Sequence, residues 1–253
     1  SWASDSRHIV YANEDLDFNS DIWLFDTKPG DDGKTPPAIN LTRHPDLDIA
    51  PRLSADGKVL YFLSERGENN FQYQVSAVFL DKSLETLRPY ELDDYFKKAG
   101  EAAKKRKPID PVEWDKPAEP KSETKAEDAA TPDDSKPEDK NSDEKKDDKK
   151  DDKKPETAKP LRFDTADSYL RIRRLTNGTP TGSGQLAITP GGERIAFVAA
   201  GEPDPSLVSI SYKGDDRKTI TSGGVGALTA SLTGDKVTFI KSSPGGGGAA
   251  LNS

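Results

Sequence analysis

The sequence predicts an all-β chain: a partial β-propeller of about four blades, the last incomplete, with a helical and disordered insertion in the second blade. Three observations predict this. One turn-and-strand pattern recurs four times, its spacing matches that of four-stranded blades, and a charged tract stretches only one of the intervals.

The four copies are residues 2–11 (WASDSRHIVY), 53–62 (LSADGKVLYF), 188–197 (ITPGGERIAF) and 230–239 (ASLTGDKVTF). In each, a short apolar segment enters a polar turn, a Lys, Arg or His follows, and an apolar stretch ends on an aromatic. This is the pattern of a β-hairpin. Asp56-Gly57 and Gly191-Gly192 supply the positive φ that primed hairpin turns require, Gly234-Asp235 offers a related solution, and Asp5-Ser6 departs furthest.

Strands rich in β-branched and aromatic residues follow at 22–25, 75–80 and 207–210. Closing strands at 39–42, 172–176 and 218–221 each end on Thr. From Asp5 to Asp56 is about 51 residues and from Gly191 to Thr233 about 42, against roughly 40 to 50 for one blade.

Three segments result. Residues 1–82 hold the first blade and the first part of the second, 83–160 form the insertion, and 161–253 complete blade two, add blade three and begin blade four. Within the insertion, 91–106 place acids early and bases late, which predicts a short amphipathic helix. Residues 115–160 contain no Val, Ile, Leu, Phe, Tyr or Trp, and a segment that cannot bury apolar surface is expected to be disordered.

Composition narrows the functional classes. A net charge of -8 disfavours a nucleic-acid partner, and the absence of Cys excludes disulfides, thiol nucleophiles and cysteine metal sites. Compartment stays open. No apolar run approaches the roughly 20 residues of a membrane span, and no signal-peptide pattern is present. The sequence has no Met and starts inside a repeat, so the natural N-terminus is expected to be missing. The glycine run at 245–248 follows a hairpin whose remaining strands are absent, so the chain is expected to stop within a blade.

Candidate chemistry is sparse, and neither a catalytic centre nor a cofactor is expected. His8 and His44 are the only histidines, so a Ser-His-Asp site would need one of them; both read as surface polar residues. Asp15, Asp17, Asn19 and Asp21 alternate like half of a calcium loop, but Ser20 stands where that loop needs Gly, and a solvated hairpin loop competes. The glycines of 223–226 and 245–248 lack the strand-to-helix setting of a phosphate cradle. Basic residues 104–107 suit a helix C-terminus. Trp23, Phe25, Tyr61, Phe62, Phe79, Phe197 and Phe239 sit at alternating strand positions and are assigned mainly to packing between blades.

The turns at Trp2–Ser6, Leu53–Gly57 and Ile188–Gly192, with Asp21-Ile-Trp23 opening a second strand, resemble the propeller repeats shared by TolB and tricorn protease. Residues 160–164 and 170–176, which follow a charged insertion, resemble the return strand of bacterial tricorn-like serine peptidases. Ser6 in place of the turn Gly and Thr233 in place of the turn Asp depart from the pattern.

The resemblance implies a non-catalytic module for substrate access or assembly, serving a downstream serine peptidase domain of the same chain that lies beyond a PDZ module. Its partners would be polypeptide substrate or protein, a homo-oligomer is admitted, and the compartment leans cytoplasmic. A TolB-like scaffold in the cell envelope is the alternative, and a propeller attached to an α/β hydrolase is the third reading.

Overall fold

Each of the four sequence repeats becomes one antiparallel sheet. The computed structural model describes residues 1–67, 73–105, 161–177, 181–201, 205–223, 225–231, 236–242 and 249–252. The tract at 115–160, the pair Gly234-Asp235 and the glycines 245–248 lie outside these residues.

The first sheet is ordered β1 (His8–Glu14), β2 (Ser20–Asp26), β3 (Ile39–Asn40), and Trp2 bridges to Ile9 at its start. The second runs β4 (Asp48–Leu53), β5 (Val59–Ser64), β6 (Gln74–Phe79), β7 (Arg173–Arg174). In the third, β8 (Thr181–Ile188), β9 (Arg194–Ala199), β10 (Ser206–Ser211) and β11 (Lys218–Ser222) are neighbours in chain order. The fourth comprises β12 (Val225–Ala230), β13 (Val237–Ser242) and β14 (Ala249–Asn252). Four adjoining blades, the first and the last of three strands each among the described residues, match the fold class expected from the repeats.

The repeat turns share one hydrogen-bond pattern, and it differs from a primed turn. Ala3 N donates to His8 O at 2.8 Å, Ser54 N to Val59 O at 2.8 Å and Thr189 N to Arg194 O at 3.0 Å. Four residues are enclosed each time, and only one is left-handed: Ser6 (φ 55), Gly57 (φ 75) and Gly192 (φ 79). A two-residue primed turn would need positive φ at its first central residue too, which a four-residue loop does not. Ser6 adopts this conformation without glycine's freedom, supported by Asp5 Oδ1, which accepts from the backbone N–H groups of Arg7 and His8. Ser231 N and Lys236 O close the same span in the fourth copy at 2.9 Å.

The threonines that end two closing strands also have a shared physical role. Thr42 Oγ1 accepts from Ile22 N and donates to Asp21, while Thr176 Oγ1 accepts from Val75 N and donates to Gln74. All four distances lie at or below 3.0 Å. Each buried hydroxyl continues the strand pairing where the closing strand is only two residues long.

The core lies between blades because strand side chains alternate in direction. Leu60 and Phe62 of β5 pack with Val10, Ile22 and Leu24 of the first blade, whereas Val59, Tyr61 and Leu63 pack with Ile195 and Phe197 of the third. A third cluster joins Ala196, Val198 and Leu207 to Val225, Leu228 and Phe239. Of the aromatics assigned to packing, Tyr61, Phe62, Phe79, Phe197 and Phe239 are buried. Trp23 and Phe25 are only half-buried, since β2 turns Ile22 and Leu24 toward the second blade.

The helix α1 (Pro89–Lys104) begins two residues before the expected start. Pro89 fits the first helical turn, where its missing N–H costs no hydrogen bond, and Glu91 accepts from Arg88 N at 2.9 Å.

Tyr61 ties blade two to the turn of blade three, its hydroxyl donating to Gly192 O at 2.7 Å in full burial. Tyr61→Phe leaves that carbonyl without its donor and is expected to lower the unfolding free energy by about 1–3 kcal/mol, measured by urea denaturation.

Candidate functional site

The turns of the first three blades gather on one face. Ala55 N, in the second blade's turn, donates to Pro190 O of the third at 2.7 Å. Leu161 N donates to Asp5 of the first turn at 3.3 Å, and a Cβ on Gly57 would lie only 2.5 Å from the Leu161 side chain. Leu161 therefore wedges between the first two turns.

Helix α1 crosses this face. Tyr95 donates its hydroxyl to Asp56 at 2.6 Å, and Phe96 stacks on Tyr212 with ring centroids 3.9 Å apart. Asp93 accepts from the Tyr212 hydroxyl at 2.5 Å and from Lys213 at 2.9 Å. A Cβ on Gly191 would fall 2.5 Å from Gly100 N, so helix and turn touch through two glycines. Burial, reinforced by the Asp56 carboxylate, pushes the Tyr95 hydroxyl far above the usual tyrosine value. The Lys213 ammonium and the Tyr212 hydroxyl hold Asp93 below the usual aspartate value.

Beside the helix lies a cleft of about 620 Å³, within the size range of ligand sites. Buried Phe79 and Leu84, with half-buried Leu87 and Leu92, form its apolar lining. Its rim is basic. Arg171 is spent on structure, donating to the carbonyls of Phe79 and Asp164 and pairing with Glu85 and Asp167. Lys213 pairs with Asp93. Exposed Arg173 instead lies over the Phe79 ring at 4.1 Å, with no carboxylate within ion-pair distance among the described residues. A cationic group above an apolar lining suits a ligand that combines an acid with a large apolar side chain.

Nothing in the sequence singled out this cleft, because its lining comes from β6, from residues 82–92, from residues 171–175 and from Tyr212 and Lys213, which only the fold assembles. The signal available was the basic residues Arg171, Arg173 and Arg174 directly after the charged tract.

The residues that sequence did single out have other duties. Asp15 accepts from Asp17 N at 2.8 Å, Asn19 N at 3.0 Å and Asn19 Nδ2 at 3.3 Å, so it organises its own loop. Asp21 faces the closing strand, accepting from Asn40, Thr42 and His44 N. Asp15 and Asp21 thus serve separate networks, and among the described residues no group of three His, Asp or Glu side chains is placed to hold a metal.

His8 is buried rather than on the surface. Its Nδ1 lies 2.6 Å from Asp5, its Nε2 3.9 Å from Asp26, and the Phe163 ring meets it edge-on. Among the described residues none of its partners is a serine. His44 Nδ1 accepts from Asp46 N at 3.2 Å. Gly223 ends a hairpin and leads into strand β12; Lys104 and Lys105 finish α1, while Arg106 and Lys107 lie outside the described residues.

Two predictions follow from these contacts. Phe96→Ala removes the stacked ring from the helix docking surface and is expected to cost about 3 kcal/mol locally, so hydrogen exchange should accelerate in α1 while β5 stays protected. Asp26 is bound by the Arg7 guanidinium, which holds its pKa at about 2. Its contribution is complete above the ordinary value of 3.8 and is lost as pH falls through about 2. Asp26→Asn should flatten the dependence of the urea midpoint on pH in that window.

No protein-family model and no curated protein matches the sequence. Solved structures do match. Tricorn protease superposes with a TM-score of 0.50 at 15% identity, over 95% of this chain and 20% of that one. TolB from Acinetobacter baumannii aligns with a TM-score of 0.49 at 11% identity, over 98% of this chain and 39% of that one. A putative TolB from Agrobacterium tumefaciens aligns with a TM-score of 0.42 at 15% identity, over 88% of this chain and 48% of that one. The chain thus spans less than half the length of each of these proteins. No helix among the described residues is long and apolar enough to cross a membrane. The fold is a β-propeller like the matching part of tricorn protease, present here as four adjoining blades.

Proposed function

We propose that this chain is the non-catalytic propeller segment of a tricorn-like serine peptidase, binding and steering polypeptide toward a catalytic domain outside the segment. The observation that carries this reading is the cleft beside α1, with its apolar lining and Arg173 at the rim. A polypeptide segment with carboxylates next to an aromatic or aliphatic side chain meets both features. The apolar side chain replaces water against half-buried Leu87 and Leu92, and its neighbouring acid pairs with Arg173.

The insertion supports the same role. Residues 82–92 supply one wall of the cleft, and Arg171 fixes the returning chain against β6, so the insertion creates a recognition surface that bare blades lack. A rigid propeller carrying such a surface suits capture and positioning.

Fluorescence anisotropy with short labelled peptides that pair an aromatic residue with carboxylates tests this role. Binding is expected, and Arg173→Glu should weaken it by at least about tenfold. Affinity unchanged by that substitution removes the cleft from the account. Sequencing the reading frame downstream tests the peptidase assignment: neither a PDZ-like module nor a serine peptidase domain there would leave a protein-binding scaffold only.

A further inference from the structure

The tip of the β1–β2 hairpin displays two large apolar side chains to solvent. Leu16 is 98% exposed and Phe18 is 76% exposed. Exposed apolar residues scattered singly are ordinary, but this pair stands within three positions on one tight turn.

The turn is also built to hold them. Phe18 has φ +62, an uncommon and strained conformation for a bulky side chain. It is maintained by Asp15, whose Oδ1 accepts from Asp17 N and Asn19 N, and by hydrogen bonds from Asp15 N to Asn19 O at 2.8 Å and Phe18 N to Asp15 O at 3.3 Å. A strained aromatic held clear of the body gains nothing for folding, which directs attention to binding.

The chemistry of this tip matches the cleft beside α1. Glu14 and Asp17, both exposed, flank the apolar pair with negative charge. The cleft offers apolar walls from Phe79, Leu84, Leu87 and Leu92 and the guanidinium of Arg173, which has no carboxylate within ion-pair distance among the described residues. Apolar character and charge are complementary.

The two features cannot meet within one chain. The tip joins β1 and β2 at the ends remote from the turn at Asp5, whereas the cleft opens at the Phe79 end of β6, on the face where the turns gather. A strand of seven residues separates such ends by roughly 20 Å.

We infer that the acidic, apolar tip at Leu16–Phe18 docks into the cleft of a second copy of this chain, giving head-to-tail association. The inference rests on the proposal that this cleft receives acidic, aromatic-bearing polypeptide. Because the contact joins two different surfaces, each copy keeps one free tip and one free cleft, and growth continues until it closes or terminates.

Mixing two variants tests this. Leu16→Ser/Phe18→Asn removes the apolar pair while Asn tolerates positive φ, and Arg173→Glu disables the cleft. In sedimentation velocity the unaltered 253-residue chain is expected to gain mass with concentration, less so at high salt. Each variant alone should stay monomeric, with association weakened at least about tenfold. Their equimolar mixture should stop at a one-to-one dimer, since it contains one working tip and one working cleft per pair.

A monomeric unaltered chain, association that survives in either variant alone, or a mixture that stays monomeric would each overturn the inference. Peptide anisotropy on the same samples separates the two proposals. If the tip variant and the unaltered chain bind peptide equally while neither self-associates, polypeptide capture stands and the self-docking falls. Absence of peptide binding together with a one-to-one dimer in the mixture would leave self-docking in place and remove polypeptide capture.

Discussion

Strand β5 is buried on both faces, and everything from Val59 to Ser64 is shielded from water. A strand in that position cannot be satisfied by one sheet, because its odd and even side chains point to opposite sides. Leu60 and Phe62 require the first blade, and Tyr61 and Leu63 require the third. This double obligation joins the blades into one body. It also explains why the repeats must be adjacent: each blade alone would expose an apolar face that its neighbour covers.

Polar groups then adjust the edges of these packed sheets. The buried hydroxyls of Thr42 and Thr176 accept from the neighbouring strand and hand their own protons to Asp21 and Gln74. Such fully paired groups avoid the penalty of an orphaned buried donor or acceptor. The same arrangement accounts for the acidic run around Asp21, whose carboxylate already receives Asn40, Thr42 and a backbone N–H. An alternation of acids resembling a metal loop is here divided between an Asx-type loop at Asp15 and a strand lock at Asp21.

The described start of the insertion, residues 83–105, is attached to the propeller at several points. A helix of 16 residues is marginal by itself in water, and α1 draws its stability from Phe96 on Tyr212, from Tyr95 on Asp56 and from the close approach of Gly100 to Gly191. Arg171 performs the complementary task at the returning end, binding two backbone carbonyls and two carboxylates. Between these anchors the cleft keeps its apolar walls partly open, and no carboxylate among the described residues lies within ion-pair distance of Arg173. The cleft is therefore a product of residues 82–92, blade two and the Tyr212–Lys213 turn of blade three together.

The recurring turn, the period-two strands and the closing threonines were legible in the sequence because each is set by local chemistry. A left-handed position favours Gly57 and Gly192, and alternation of apolar side chains marks a pleated strand wherever it occurs. The turn type at Asp56-Gly57 is not legible locally because loop length depends on which residues pair across the hairpin, and the burial of His8 is not legible because Asp5 and Phe163 close over it only in three dimensions. By itself the sequence determined an all-β repeat architecture with an inserted helix, since hydrogen-bonding capacity and apolar periodicity are properties of short segments. Only the tertiary structure decided which turns share a face, that α1 lies across them and that Arg173 overhangs Phe79, because those contacts join residues as far as 156 positions apart and depend on how blades stack.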